Sequence, residues 1–474
     1  MTSVNRPRFH FTAPTNWLND PNGLVVVDGV FHMFYQHHPF GESFGPPHWG
    51  HAVSRDLIDW EYRGIALEPD ELGVIFSGSA AIDHEGDAGF GAGAIVAAFT
   101  HHLETGVERQ SLAYSIDGGS TFEKYAGNPV LEAPPGIVDF RDPKIFKWHS
   151  GKASHWVMAL AVGPAVWLYT STDLRTWDRA SVFATGDQPS GVWECPDLFE
   201  LPIEGTDETA WVMVVGAVSE RLPYRFATRF FVGTFDGRTF ETQHRDVHWA
   251  DFGADFYSAQ TWSDVPDGSK IWVGWMSNWS YAAETPFAGW RGAMSTPRRL
   301  GLRETPVGLR LTERPVAGLL DHHAPIVEES DLVIGVGDDP LAIVRGTALD
   351  LELEIDLAAS TARQMTIDVR VGSEETTRVV VDLVALSVAV DRHLAGSHLL
   401  HSEYGGPRLS PFDVDRPLLD VRVLADATSV EVFAAGGTVV ITEQIFPNPA
   451  SDGVHLAAVG GEVRFSRLAA STIE

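Results

Sequence analysis

Ser54-Arg55-Asp56-Leu57-Ile58-Asp59-Trp60 recurs as Ser171-Thr172-Asp173-Leu174-Arg175-Thr176-Trp177, with Ser, Asp, Leu and Trp in register. Two weaker copies are Ser115-Ile116-Asp117-Gly118-Gly119-Ser120-Thr121-Phe122 and Gly233-Thr234-Phe235-Asp236-Gly237-Arg238-Thr239-Phe240. Successive copies lie roughly sixty residues apart, a fixed period of the kind that marks propeller blades. Each reads as a polar turn closed by an aromatic plug between the outer strands of one blade. Four copies within about 250 residues, with a remainder of similar texture, predict five blades.

The surrounding pattern agrees. Helical periodicity is almost absent, and short alternating apolar runs end at Gly, Pro, Asp or Asn, as in an all-β protein. Gly23-Leu24-Val25-Val26-Val27 is followed by Asp28-Gly29, a hairpin signal, and then by Val30-Phe31-His32-Met33-Phe34-Tyr35-Gln36. Near residue 300 the texture changes. Aromatics thin out, and Leu349-Asp350-Leu351-Glu352-Leu353-Glu354-Ile355, Thr366–Val371, Leu419–Val423 and Ser429–Phe433 alternate strictly. Strands of that length, polar outside and apolar inside, make a sandwich. The expected layout is a five-bladed β-propeller over 1–312, a linker over 313–325 and a β-sandwich over 326–474. The sandwich groups no catalytic residues, so packing or sugar contact is its expected work.

With 474 residues, 44% hydrophobic and 21% charged, the chain is globular and long enough for two or three domains. Its 34 basic against 64 acidic residues give a formal net charge of −30. That argues against nucleic acid and against anionic membrane surfaces as partners. A neutral substrate is the natural match. The single cysteine, Cys195, leaves the fold to stand on packing. The first residues lack the apolar core of a secretory signal, so the expected location is cytoplasmic, with a secreted form stripped of its leader as the alternative. Oligomeric state is unreadable.

Three acidic motifs carry the chemistry: Trp17-Leu18-Asn19-Asp20-Pro21-Asn22-Gly23, Arg141-Asp142-Pro143 and Trp193-Glu194-Cys195-Pro196. Proline pushes the preceding residue toward extended backbone. Asp20 and Asp142 are therefore expected on extended segments at strand ends, aimed rigidly. Carboxylates from three distant segments suit proton transfer and nucleophilic attack in an assembled site. Cys195 reads as a small packing residue. The pairs His37-His38 and His101-His102 lack metal-ligand spacing, so no metal and no cofactor are expected. Gly89-Phe90-Gly91-Ala92-Gly93 precedes a β run rather than a helix and reads as a turn.

Trp17–Gly23 resembles the signature of glycoside hydrolase family 32, the β-fructofuranosidases, and the other two motifs resemble that family's further acidic motifs in the right order. Phe34-Tyr35-Gln36, Trp49-Gly50-His51-Ala52, Phe76-Ser77-Gly78-Ser79, Gly253-Ala254-Asp255-Phe256-Tyr257, Val430–Phe433 and Ile445-Phe446-Pro447 extend the likeness across nearly the whole chain. The resemblance implies a five-bladed propeller followed by a β-sandwich, and retaining release of a terminal fructosyl unit. It implies Asp20 as nucleophile, Glu194 as general acid and then base, and Asp142 as transition-state stabiliser. The sugar clamps it implies are Asn19, Gln36, Ser77, Arg141 and Asp255, with Trp49, Phe76 and Trp279 as apolar walls. Repulsion from ionised Asp20 is expected to raise the pKa of Glu194, and Arg141 to hold Asp142 ionised.

Residues 274–299 resemble exo-fructanases and invertases more than sucrose-phosphate hydrolases. The implied substrates are sucrose and levan- or inulin-type fructans. Two alternatives are a fructosyltransferase working through the same fructosyl-enzyme and a non-catalytic fructan-binding propeller.

Overall fold

The computed structural model describes residues 5–186, 191–218, 226–242, 247–397, 401, 403–414 and 416–474. Five antiparallel sheets, each of four main strands, come first along the chain, and two larger sheets follow. The only helical segments among the described residues are three short 3-10 turns, Ala282–Glu284, Ala317–His322 and Ala435–Gly437. None is long and apolar enough to cross a membrane.

Each blade begins with its innermost strand and runs outward. The inner strands are Asn16–Val27, Val74–Asp83, Arg141–Ser150, Val192–Pro202 and Tyr257–Thr261. The ring closes where Trp290–Arg291, a strand from the fifth blade's long insertion, pairs in parallel with Asn16 and Trp17 of the first. The first hairpin turns on Asp28 and Gly29 at φ 49° and 75°, the double positive φ that a two-residue primed turn requires.

The repeated motif lies where its spacing places it. Ser54–Trp60 joins strands His48–Ser54 and Glu61–Leu67, and Ser171–Trp177 joins Ala165–Ser171 and Asp178–Phe183. Both copies use the same bonds. Asp56 Oδ1 accepts the amides of Ile58 and Asp59 at 2.9 Å, and Asp173 Oδ1 accepts those of Arg175 and Thr176 at 2.9 and 2.8 Å. Leu57 and Leu174 both take positive φ and are buried, so the Asp pins a strained turn that drives an apolar side chain between blades.

The fifth blade ends with strand Gly308–Pro315, and the sandwich opens with His323–Ile334. The connection is the turn at Ala317–His322, narrower than the 313–325 break expected from proline and composition. The alternating strands fill one aliphatic core, with Leu351, Leu353, Ile367, Val379, Val421 and Val432 all buried between the six- and five-stranded sheets.

Candidate active site

All five inner strands break their hydrogen-bond register at the same level. Leu18 pairs with His37 and Pro21 with Tyr35, which leaves Asn19 and Asp20 in a bulge. The skipped pairs in the other four strands are Phe76 and Ser77, Asp142 and Pro143, Cys195 and Pro196, and Ser258 and Ala259. A bulge bends its strand and re-aims side chains out of the ladder. Five around one axis turn residues from every blade toward a common point. Asp142 therefore does not sit on extended backbone as its proline predicts: its φ is 63°, and Cys195 and Ser258 follow at 47° and 53°. The bulge dictates the backbone there, and the proline only stiffens it.

The point of convergence is a pocket of about 450 Å³. Asp20, Asp142 and Glu194 all line it, with Asn19, Gln36, Phe76, Ser77, Arg141 and Trp279. Asp20 and Asp142 lie deep, 8% and 6% exposed, while Glu194 is partly exposed toward the mouth. The pocket is blind. Below it the axis is filled by Pro21, Pro143, Cys195 and Gln260, then by Lys144, whose ammonium donates to Asp197 Oδ2 at 2.9 Å and to the Thr261 carbonyl at 2.8 Å.

Each carboxylate is oriented by a different blade. Ser77 Oγ donates to Asp20 Oδ2 at 2.7 Å, which leaves buried Oδ1 without a hydrogen-bond partner. The Cys195 amide donates to Asp142 Oδ2 at 2.9 Å, and its thiol lies 3.7 Å from Asp20 Oδ2 and 3.5 Å from Asp142 Oδ2. Tyr257 Oη donates to Glu194 Oε2 at 2.7 Å. Asn19 is turned by the Trp17 indole N–H, which donates to its Oδ1 at 2.7 Å.

Burial is the leading influence on all three carboxyls. It raises Asp20, against the pull of the Ser77 hydroxyl. Glu194 is raised by burial against the Arg141 charge and the Tyr257 hydroxyl, with Asp20 adding a smaller upward push than expected from repulsion alone. Asp142 is pushed up to about 8 by burial and by the Glu194 charge. Arg141 pulls it down, but less than burial and Glu194 together raise it. The guanidinium is spent on Asp139 Oδ1, at 2.8 and 2.6 Å, and its Nε lies 3.2 Å from Glu108. Three such carboxyls around one cation titrate as a set.

Two expected sugar contacts are not at the pocket surface. Trp49, 1% exposed, is buried in a cluster with Phe34, Ile75 and Phe99, and its indole N–H donates to the Phe76 carbonyl at 3.1 Å. A Cβ on Gly23 (φ 54°) would come within 2.9 Å of its ring. Asp255 is fully buried, and its oxygens accept from Tyr281 Oη at 2.6 Å, Arg392 Nη1 at 2.6 Å and the Gln444 amide at 2.8 Å. The motifs are in place, but these two side chains are buried and do not line the pocket. Conversely, Phe44, Val192, Val218 and Phe226 line the mouth without having been singled out. The last three are cross-strand neighbours in the fourth blade, Val192 opposite Val218 and Val218 opposite Phe226, a register no sequence spacing announces. Tyr257 did lie within a quoted motif, Gly253–Tyr257, and only its direction was hidden.

A bladed ring whose axis gathers paired carboxylates in one pocket with apolar walls is the arrangement of a glycoside-cleaving enzyme. The signature of the glycosyl hydrolases family 32 N-terminal domain matches residues 10–315, and that of the family 32 C terminal matches 323–472, so the chain belongs to glycosyl hydrolase family 32. It is 42% identical to a levanase of Bacillus subtilis (strain 168), over 98% of this chain and 69% of the levanase. It is 32% identical to a levanase of Bacillus sp. (strain L7), where it spans about half of that protein, 52%, with 98% of this chain covered. The crystal structure of exo-inulinase from Aspergillus awamori superposes with a TM-score of 0.93 at 30% identity, covering 100% of this chain and 99% of the inulinase.

Proposed function

We propose that this protein is a retaining, exo-acting β-fructofuranosidase that releases terminal β-D-fructofuranosyl units from levan- or inulin-type fructans and from sucrose. The observation that carries the reading is the convergence of Asp20, Asp142 and Glu194, from three blades, on one blind pocket. The exo-inulinase relative favours attack at a chain end. The levanase, exo-inulinase and invertase relatives favour a fructosyl substrate.

Asp20 Oδ1, free of protein hydrogen bonds, attacks the anomeric carbon. As the bond to the leaving oxygen breaks, Glu194 delivers its proton to that oxygen. Water then attacks the same carbon, gives a proton to Glu194 and releases Asp20. Desolvation that raises Glu194 keeps the acid loaded for the first step. Asp142 and Arg141, both lining the pocket, hold the sugar hydroxyls by hydrogen bonds as the transition state forms.

The test is fructose release from levan, inulin and sucrose by the wild type and by Asp20→Ala. Fructose alone, abolished in the variant, is the expected result. Oligomeric products, or an undiminished variant, refute the reading.

A further inference from the structure

Trp279 reaches the pocket from a loop that the propeller does not hold alone. The loop follows strand Ile271–Trp275 and carries Ser277, Asn278, Ser280 and Tyr281 beside the tryptophan. Three of these are tied to the sandwich. Ser277 Oγ donates to Gln444 Oε1 at 3.1 Å, and Ser280 Oγ donates to Glu403 Oε2 at 2.5 Å. Tyr281 Oη accepts from Arg392 Nη2 at 3.0 Å while donating to Asp255. Asn278 Nδ2 joins this loop to the next by donating to the Ala254 carbonyl at 2.9 Å.

Arg392, on sandwich strand Ser387–Leu394, is the hub. Its guanidinium is wholly buried and meets Asp255 Oδ2 at 2.6 Å, Glu443 Oε2 at 2.7 Å, and the carbonyls of Tyr404 and Gln444 at 2.8 and 2.9 Å. A planar fork of five donors fixes the relative placement of everything it touches. Two of its partners lie two residues from pocket groups: Tyr281 follows Trp279, and Asp255 precedes Tyr257, the donor to Glu194. Desolvation offsets much of what a buried ion pair contributes to stability, so apolar packing would serve that end as well. What packing would not supply is directed geometry at the back of a sugar-binding wall.

We infer that Arg392 is a positioning residue through which the β-sandwich sets the placement of the Trp279 wall, and with it the affinity for the fructosyl unit. The inference rests on the functional reading above. A wall that contacts the sugar equally in ground and transition states governs KM rather than kcat.

Truncating Arg392 outright would strand buried Asp255 and Glu443, so the informative variants are milder. Arg392→Lys keeps the charge and loses the fork, Tyr281→Phe removes one hydroxyl, and Ser280→Ala cuts the tie at the loop's partly exposed end. Steady-state kinetics on sucrose and levan, with thermal unfolding read in parallel, should show KM raised about three- to tenfold in Arg392→Lys and Tyr281→Phe, with kcat held within about twofold. Ser280→Ala should move KM the same way without a change in Tm. Wild-type KM in both buried-site variants overturns the inference, as does a fall in kcat that merely tracks lost stability. A wild type that releases no fructose refutes instead the function on which it rests.

Discussion

Tyr257 and Glu194 are joined across neighbouring blades by a 2.7 Å hydrogen bond from the phenol to Oε2. The donor is the last paired residue before the bulge of the fifth inner strand, and the acceptor the last before that of the fourth. This bond favours the ionised carboxylate and so opposes the burial that raises Glu194. It tunes the proton donor downward while aiming it.

Tyr257→Phe should therefore push the Glu194 pKa higher still. The alkaline limb of kcat/KM reports that group in the free enzyme and should move to higher pH by about one unit, with kcat reduced about tenfold by looser aim. A pH–rate profile of the variant beside the wild type checks both. An alkaline limb that moves down would mean the phenol stabilises the protonated acid instead.

Glu194→Gln removes the proton donor but keeps the acceptor for Tyr257. Cleavage of sucrose should fall about 10²–10⁴-fold, the usual contribution of a positioned acid. An aryl β-fructofuranoside, whose leaving group needs no proton, should lose far less in the first step. Equal losses on both substrates would remove Glu194 from the acid role.

Asp142 links the site to stability. Its carboxyl titrates near 8 in the folded protein against an ordinary 3.8, so the native state holds a proton that the unfolded chain releases. Stability from this group is complete below the unfolded value and declines as pH rises through the folded one. Asp142→Asn abolishes that dependence. Thermal unfolding from pH 5 to 9 should show the variant gaining on the wild type with rising pH and exceeding it by a few degrees at the top, while activity is lost. Parallel Tm curves would contradict the raised titration.

The architecture was legible because its signals are local. A Ser-x-Asp-Leu turn encodes its own hydrogen bonds, and the alternation at Leu349–Ile355 encodes a buried face, so neither needs the rest of the chain. The three carboxylates were legible because their neighbours are distinctive. Trp49 and Asp255 misled because motif membership says nothing of direction. Their side chains are spent on the Phe76 carbonyl and on Arg392, partners 27 and 137 residues away. The Val192, Val218 and Phe226 rim went unseen for a related reason, since it exists only in the cross-strand register of the fourth blade. Nor does sequence reveal a raised pKa at Asp142, because that follows from burial and from the nearby Glu194 charge, which together outweigh Arg141.

Beneath the pocket, Lys144 ties three blades at the axis through Asp197 and Thr261, and it is buried with Asp197 as its one ion-pair partner among the described residues. Thr261 completes the set by donating both its amide and its hydroxyl to Asp197 Oδ2, at 2.7 and 2.8 Å. Lys144→Met fills the same volume but leaves the buried Asp197 carboxyl without its cation. Breaking a buried pair from one side costs about 3–5 kcal/mol, whereas replacing both partners is often neutral. Denaturant unfolding should thus show a large loss for Lys144→Met and recovery of most of it in Lys144→Met with Asp197→Asn. The double variant should also regain activity, because the pocket floor needs the three inner strands held at a fixed spacing rather than a charge as such. Stability restored without activity would instead give the Lys144 cation a direct electrostatic part in the chemistry above it.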